Sequence, residues 1–461
     1  MKNHNDKTNL IVISITSIAI TITLVVLASV LNITYNNVQN TFITAKTASV
    51  AGYVTPISFT LTYKDKSYTF DLQKQYTTSL IHTIQDYEYK HRLDTIDYDT
   101  ILNTINLLEG KNTPIKDIIN YIFVGFDSAL INIKKELEYN PIDSTITFNP
   151  KSTPLFNITN DCTGIKIDSN LLYQNILESI KICPYFTMEI PLITLIPKVT
   201  YNDNLASTNK ISSFTTNVSD STGGRKTNVK LALSKLNGLC VMPNESISFN
   251  KLTGPHTADS GYKPATVILN GEYTEDIGGG ICQASSTLYN ALLLTGTKIT
   301  KVSKHSIPVK YVPLALDAMV SEGIADLCFI NTLKSPMYIH TYSNSDSVTV
   351  DIYSKALPDN ITYKTRSETI KTIDFDKDTI IPDTNHEYTN HILYKGEYYR
   401  TKFPRCGYEA VGYLEKYQNN VKISEEKIRH EIYKPQNGVV VEGTYTPAEG
   451  MTIKNNIKIY T

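Results

Sequence analysis

"EDIGGGICQASSTLYNALLLTG", Glu275 to Gly296, is the stretch on which the reading of this chain turns. Gly278, Gly279 and Gly280 run through one isoleucine into Cys282, and from there apolar residues recur at helical spacing up to a Thr295-Gly296-Thr297 turn. Glycines tolerate φ > 0 and let the main chain come close to a ligand. A helix starting near Cys282 leaves its first N–H groups without internal partners. An anion is stabilised there, and a thiolate is such an anion, its pKa drawn from about 8.5 toward neutrality. The same N–H groups suit the oxyanion of an acyl-transfer intermediate. A cysteine at a helix start is also often a small buried hydrophobe, so the local pattern leaves packing and chemistry both open.

A thiolate nucleophile needs a proton partner. His305, in "TKITKVSKHSIPVKYV", follows the helix after one short turn; a strand running back antiparallel to the helix would bring its imidazole over Cys282. Asp326, in "GIADLCFIN", begins the next strand pattern and is the expected orienting carboxylate, with Asp317 in "LALDAMV" as competitor. Gln283 is expected to assist the backbone N–H groups as an oxyanion donor, and its plainer reading is a cap residue. Gly278, Gly279, Gly280, Ser285, Ser286 and Asp317 are the candidate ligand-binding positions. Ser285, Ser286 and Thr287 are better suited to satisfying backbone groups than to attack, and Tyr289 and Asn290 to buried polar packing. His256 reads as a turn residue, and Cys240 and Cys328 as core. Cysteine on a helix, then histidine and aspartate on successive strands, resembles the element order of the papain-like transglutaminase core, in which a thiolate attacks an amide.

The rest of the chain sets the frame. At 461 residues it is long enough for two to four domains. With 19% charged residues and a net charge of −1 it makes no bulk electrostatic claim on nucleic acid. No P-loop, zinc-finger spacing or basic tract occurs, and the sequence calls for no cofactor and no metal. The six cysteines form no CxxC pair, and a Cys162–Cys183 disulfide is conceivable, although sequence does not set connectivity. From Leu10 to Leu31 no charge occurs, enough chain to cross about 30 Å of hydrocarbon as a helix. Lys2 and Lys7 before it put the amino-terminal tail in the cytoplasm by the positive-inside rule. The expectation is therefore a single-pass membrane protein with its bulk outside the cell.

The pattern of elements predicts an α+β chain: a tail (1–9), a transmembrane helix (10–31), a linker (32–50), an α+β domain (51–200), a second α+β domain (205–345), a linker (346–366) and a β-rich module (367–461). "SFTLTYKDKSYTFDL" reads as a β-hairpin, and "YTTSLIHTIQDYEYKHRL" and "IKDIINYIFVGFDSALINIKKELEYN" as helices.

The second domain resembles the VanW family, whose hallmarks stand here as Ser248-Phe249-Asn250, Gly254-Pro255, Gly261-Tyr262, the block Gly278 to Ala291, His305-Ser306, Tyr311 to Ala318 and Asp326 to Asn331. Departures are His256, where relatives carry a basic residue after Gly-Pro, and Leu316, where one often precedes the aspartate. Residues 51–200 are similar to the peptidoglycan-binding domain that precedes VanW domains, and 367–444 to the G-five module of wall-associated proteins. The resemblance implies a cell-wall protein whose partner is peptidoglycan, its stem peptides or its glycan. It does not supply a reaction. One reading is a cysteine-dependent amide hydrolase or acyltransferase. The other is a non-catalytic wall-binding scaffold in which the glycine loop and helix N-terminus hold a carboxylate.

Overall fold

The computed structural model describes residues 57–72, 98–269, 271–453 and 457–460. They are α+β, arranged as two compact units: one holds the described residues up to Pro141 together with Thr163–Ile196, the other Ile142–Cys162 and everything from Pro197 onward.

In the first unit, strands Ser58–Tyr63 and Lys66–Asp71 form the hairpin expected from the alternating sequence, its turn made by Lys64 at φ 54°. Tyr185–Glu189 adds to Ser58–Tyr63 in parallel. Helices Tyr98–Gly110, Ile115–Ile122, Phe126–Leu137 and Ser169–Ile182 supply the core with Ile101, Ile119, Phe126, Leu130 and Ile176 around Phe59. The single long helix predicted for 115–140 is broken, because Gly125 takes φ 88° between two shorter helices. Cys183 is a free thiol whose Sγ donates to Tyr185 O at 3.0 Å, so the conceivable bridge to Cys162 is not formed.

The transmembrane helix, and with it the single-pass membrane location, must be corrected. Among the described residues no helix is long and apolar enough to cross a membrane. Ser169–Ile182, at 14 residues, would span only about 21 Å. The run 10–31, the linker 32–50 and the helix predicted in 76–93 lie outside the described residues.

The second unit is built around helix Ile281–Leu293. From Gln283 to Leu293 every residue of it is buried, as expected of a helix covered on all sides. It lies on a four-stranded antiparallel sheet ordered Asn209–Asn217, Ser347–Ser354, Met337–Ser343, Leu239–Val241, and against helix Gly223–Ser234. Ala284, Leu288 and Leu292 pack there with Val229, Leu233, Val350 and Ile352. A smaller sheet pairs Ser246–Ser248 and Lys298–Lys301 with the central strand Cys328–Ile330. Hairpin Pro264–Leu269/Glu272–Ile277 delivers the chain to the glycines.

The tail of this unit is β-structure. A long ribbon of strands Ile361–Ile373, Gly407–Gln418 and Val421–Tyr433 is followed by a sheet of Thr379–Pro382, Val439–Glu442 and Tyr398–Lys402. The ribbon lies against the irregular segment 303–320. Ser367 Oγ donates to Leu314 O at 2.7 Å and Lys304 Nζ to Ile432 O at 2.8 Å. Gly412 lies so close that a Cβ would sit 2.8 Å from Ala315 O.

Candidate functional site

The glycine turn sets the helix start. Gly278 and Gly280 take φ 87° and 107°, and a Cβ on Gly279 would meet Ala265 O at 2.4 Å, so neither the conformation nor the space admits a side chain without strain. Cys282 is the second residue of the helix and is half-buried. Its Sγ lies 3.3 Å from Val320 O and 3.5 Å from Val320 N.

His305 is 4% exposed and stands close enough to Cys282 for each to shift the other's ionisation. Its Nδ1 lies 2.6 Å from Asp317 Oδ2, and the same oxygen accepts the His305 main-chain N–H at 2.8 Å. With Nδ1 held by Asp317, Nε2 is the nitrogen left for the sulfur. Asp317 Oδ1 accepts the Tyr433 hydroxyl at 2.8 Å, that hydroxyl also accepting Ala315 N–H at 3.0 Å. Arg429 stands 3.9 Å from the same carboxylate oxygen, donates to the Asp317 carbonyl, and pairs with Glu431 at 2.7 Å.

These contacts set the charges. Burial alone would depress the imidazole, but the bonds to Asp317 and to Cys282 outweigh it and raise His305 to about 9. Burial would raise the Cys282 thiol, yet His305, the Val320 N–H and Arg225 bring it below its ordinary value. Burial likewise opposes ionisation of Asp317, and His305 and Arg429 hold its carboxyl below the usual range. Each shift favours the charged form of its group: thiolate, imidazolium and carboxylate.

Each predicted residue has a definite place. Asp326, the first choice as orienter, is not at the histidine: its Oδ2 accepts from Ser248 Oγ at 2.6 Å and its Oδ1 from Asn250 N at 3.0 Å, before strand Cys328–Ile330 begins. Asp317 stands where Asp326 was expected. His305 is not on a strand; the strand ends at Lys301 and the imidazole is carried by irregular chain. Gln283 gives its Nε2 to Thr216 Oγ1 at 3.1 Å and Asn217 O at 2.7 Å, while its Oε1 accepts from Arg225 Nη2 at 3.0 Å. Its amide is thus wired to protein partners rather than pointed free at a reacting carbonyl.

Ser285 and Ser286 fasten the aspartate segment to the helix. Ser285 Oγ donates to Ala318 O at 2.5 Å, and Ser286 Oγ accepts Ala318 N–H at 2.9 Å while donating to Cys282 O at 2.7 Å. One turn on, Asn290 Nδ2 donates to Leu316 O at 2.9 Å. Arg225, Arg429 and Tyr433 were missed in the sequence. Arg225 directly follows a Gly-Gly pair at a helix start, a signal that could have drawn attention to it. Arg429 and Tyr433 sit in an alternating strand pattern with no local mark. Among the described residues no His, Cys, Asp or Glu cluster could hold a metal ion.

Comparison with known proteins gives one family-model match and two curated relatives. A family model described as VanW like protein matches residues 224–353. The chain is 37% identical over 169 residues to the uncharacterized protein YoaR of Bacillus subtilis (strain 168), covering 36% of this chain and 55% of that one. It is 31% identical over 136 residues to the vancomycin B-type resistance protein VanW of Enterococcus faecalis (strain ATCC 700802 / V583), 28% of this chain and 50% of that one. The chain spans about half the length of these curated relatives. Two solved structures, the IgA1 protease G5 domain and HP0197-G5, each align with 18% of the chain and with 92% and 97% of their own, at 21% and 16% identity, with TM-scores of 0.13 and 0.11.

Proposed function

Starting from a chain that carries a VanW-family domain over residues 224–353, we propose that this domain is a cysteine-dependent acyl-transfer catalyst acting on peptide amides of the cell wall. Cys282 is the nucleophile, His305 carries the proton and Asp317 orients the imidazole. The observation that supports this most directly is an imidazole fixed at 2.6 Å by a buried carboxylate and acting on the Cys282 thiol to lower its pKa.

In the first half-reaction the thiolate attacks the amide carbonyl carbon and a C–S bond forms. The oxyanion collapses, the C–N bond breaks, and the leaving amine takes its proton from the His305 imidazolium, leaving a thioester and a neutral imidazole. In the second half-reaction His305 takes a proton from water or an amine as it attacks the thioester. The C–S bond then breaks and the thiolate returns beside an imidazolium. The Cys282 main-chain N–H, at the helix N-terminus and without an acceptor among the described residues, serves the oxyanion. The Enterococcus faecalis relative is named for vancomycin resistance, and with the wall setting implied by the sequence this favours peptidoglycan stem peptides as the amide source.

Alkylation of the full chain, read peptide by peptide, tests the nucleophile. At pH 7 Cys282 is expected to react roughly 10–100 times faster than Cys240 or Cys328, whose thiols burial pushes up, and His305→Ala should abolish that lead. Purified wall peptides should release or exchange amines with the wild type and not with Cys282→Ser. Equal rates at all three cysteines, indifferent to His305→Ala, would leave only a wall-binding module.

A further inference from the structure

Arg225 takes no part in the proton and acyl transfers above, yet it stands beside them. It belongs to the first turn of helix Gly223–Ser234, and its stem crosses Gly280, where a Cβ would come within 2.9 Å of Arg225 Cγ. Nη2 donates to Gln283 Oε1 at 3.0 Å, and Gln283, 1% exposed, is itself held by Thr216 and Asn217. The guanidinium carbon lies 5.8 Å from the Tyr311 ring centroid, a distance at which cation–π attraction operates. Its charge acts on both the Cys282 sulfur and the Tyr311 phenol.

What Arg225 lacks is a counter-charge. Among the described residues no carboxylate lies within ion-pair distance of it, whereas Arg429 in the same site has Glu431 at 2.7 Å and Asp317 at 3.9 Å. The site's own carboxylate is already committed to His305, Arg429 and Tyr433. A guanidinium presents five N–H donors in a plane that fits a carboxylate two at a time. Here one of them is used by the Gln283 amide, and the others have no protein acceptor among the described residues.

We propose that Arg225 anchors a carboxylate subsite beside Cys282, so that the preferred acyl donor carries a free carboxylate close to its scissile amide. This rests on the reading of Cys282 as nucleophile. It fixes a substrate class that the thiol–imidazole pair alone does not: an amide flanked by an anion, in preference to its neutral counterpart. Gln283 is a positioning residue for that subsite, holding the guanidinium over the helix start.

Two small probes of nearly equal size separate the claims: iodoacetate, which carries a carboxylate, and iodoacetamide, which does not. Both are applied to the full chain, and alkylation at Cys282 is followed with Cys240, which lacks an imidazole or guanidinium partner among the described residues, as internal reference. The iodoacetate-to-iodoacetamide rate ratio at Cys282 is expected to exceed that at Cys240. In Arg225→Gln it should fall about tenfold, the factor one charge-assisted hydrogen bond is worth. The ratio cancels any change in thiolate fraction, and His305 contributes equally in both proteins, so the drop on substitution is the readout. Arg225→Lys, which keeps the charge and loses the planar fork, should fall between the two and guards against a Gln variant that does not fold. A ratio unmoved by either substitution, with Cys282 still fast toward iodoacetamide, overturns the carboxylate subsite and leaves the nucleophile standing. Slow reaction of wild-type Cys282 with both reagents overturns the nucleophile, and the subsite with it.

Discussion

His305 sets the pH window over which Cys282 reactivity is expected to change. Its folded pKa of about 9 lies above the usual imidazole value of about 6.5, so the imidazolium is present below that range and lost as pH rises through about 9. The thiolate, with its pKa lowered, is present above a point short of the ordinary thiol range. Alkylation of Cys282 against pH should therefore plateau early and show a second step near pH 9. By linkage, the stability that His305 contributes is complete below about pH 6.5 and disappears through about 9. The melting temperature should fall across that window more in the wild type than in His305→Gln. Asp317→Asn should cut turnover by roughly 10³–10⁴, the loss expected when the orienting carboxylate of a triad is replaced. Asp326→Asn should leave Cys282 reactivity alone and cost only about 1 kcal/mol through its bonds to Ser248 and Asn250. Sequence could nominate Cys282 and His305, because a glycine run, a helix start and a short turn constrain where they go. It could not choose between the aspartates. Asp326 precedes a strand pattern that attracts attention, while Asp317 sits in chain without periodicity, placed by contacts to residues far away in sequence.

The element that matters most is helix Ile281–Leu293, whose existence and start were readable from spacing and from the glycines. The reading of Ser285, Ser286 and Thr287 as side chains that satisfy backbone groups holds; less readable was the partner, since nothing local marks the Ala318 segment as the one they clasp. Ser286 joins the first turn to Ala318. Ser286→Ala should leave the buried Ala318 N–H without an acceptor and destabilise the fold by about 1–3 kcal/mol, measurable by urea denaturation, and should slow Cys282 alkylation because Asp317 adjoins the loosened residue. Gly280→Ala meets two obstacles at once, φ 107° and contacts of 2.9 Å and 3.1 Å with Arg225 and Val229. At least about 1 kcal/mol of stability should be lost, together with the placement of Arg225.

On the scale of the whole molecule, the α+β class and the β-rich tail were legible from alternation and turn residues, and the role of that tail was not. Strand partners separated by more than a hundred residues leave no local trace. The family match ends at residue 353, yet Arg429 and Tyr433, in the ribbon strand Val421–Tyr433, complete the surroundings of Asp317. Tyr433→Phe removes one hydroxyl that serves both Ala315 and Asp317. It should cost about 1–3 kcal/mol and lower turnover while leaving the Cys282 peptide intact, a combination visible by comparing melting curves with kcat. Synthesis runs from the amino end, so the ribosome emits the sulfur and its imidazole well before the phenol and guanidinium that steady their aspartate. On the proposed mechanism the nucleophile and its base thus exist before the groups that hold their aspartate, and full reactivity at Cys282 is expected only once the last ribbon strand, Val421–Tyr433, is in place.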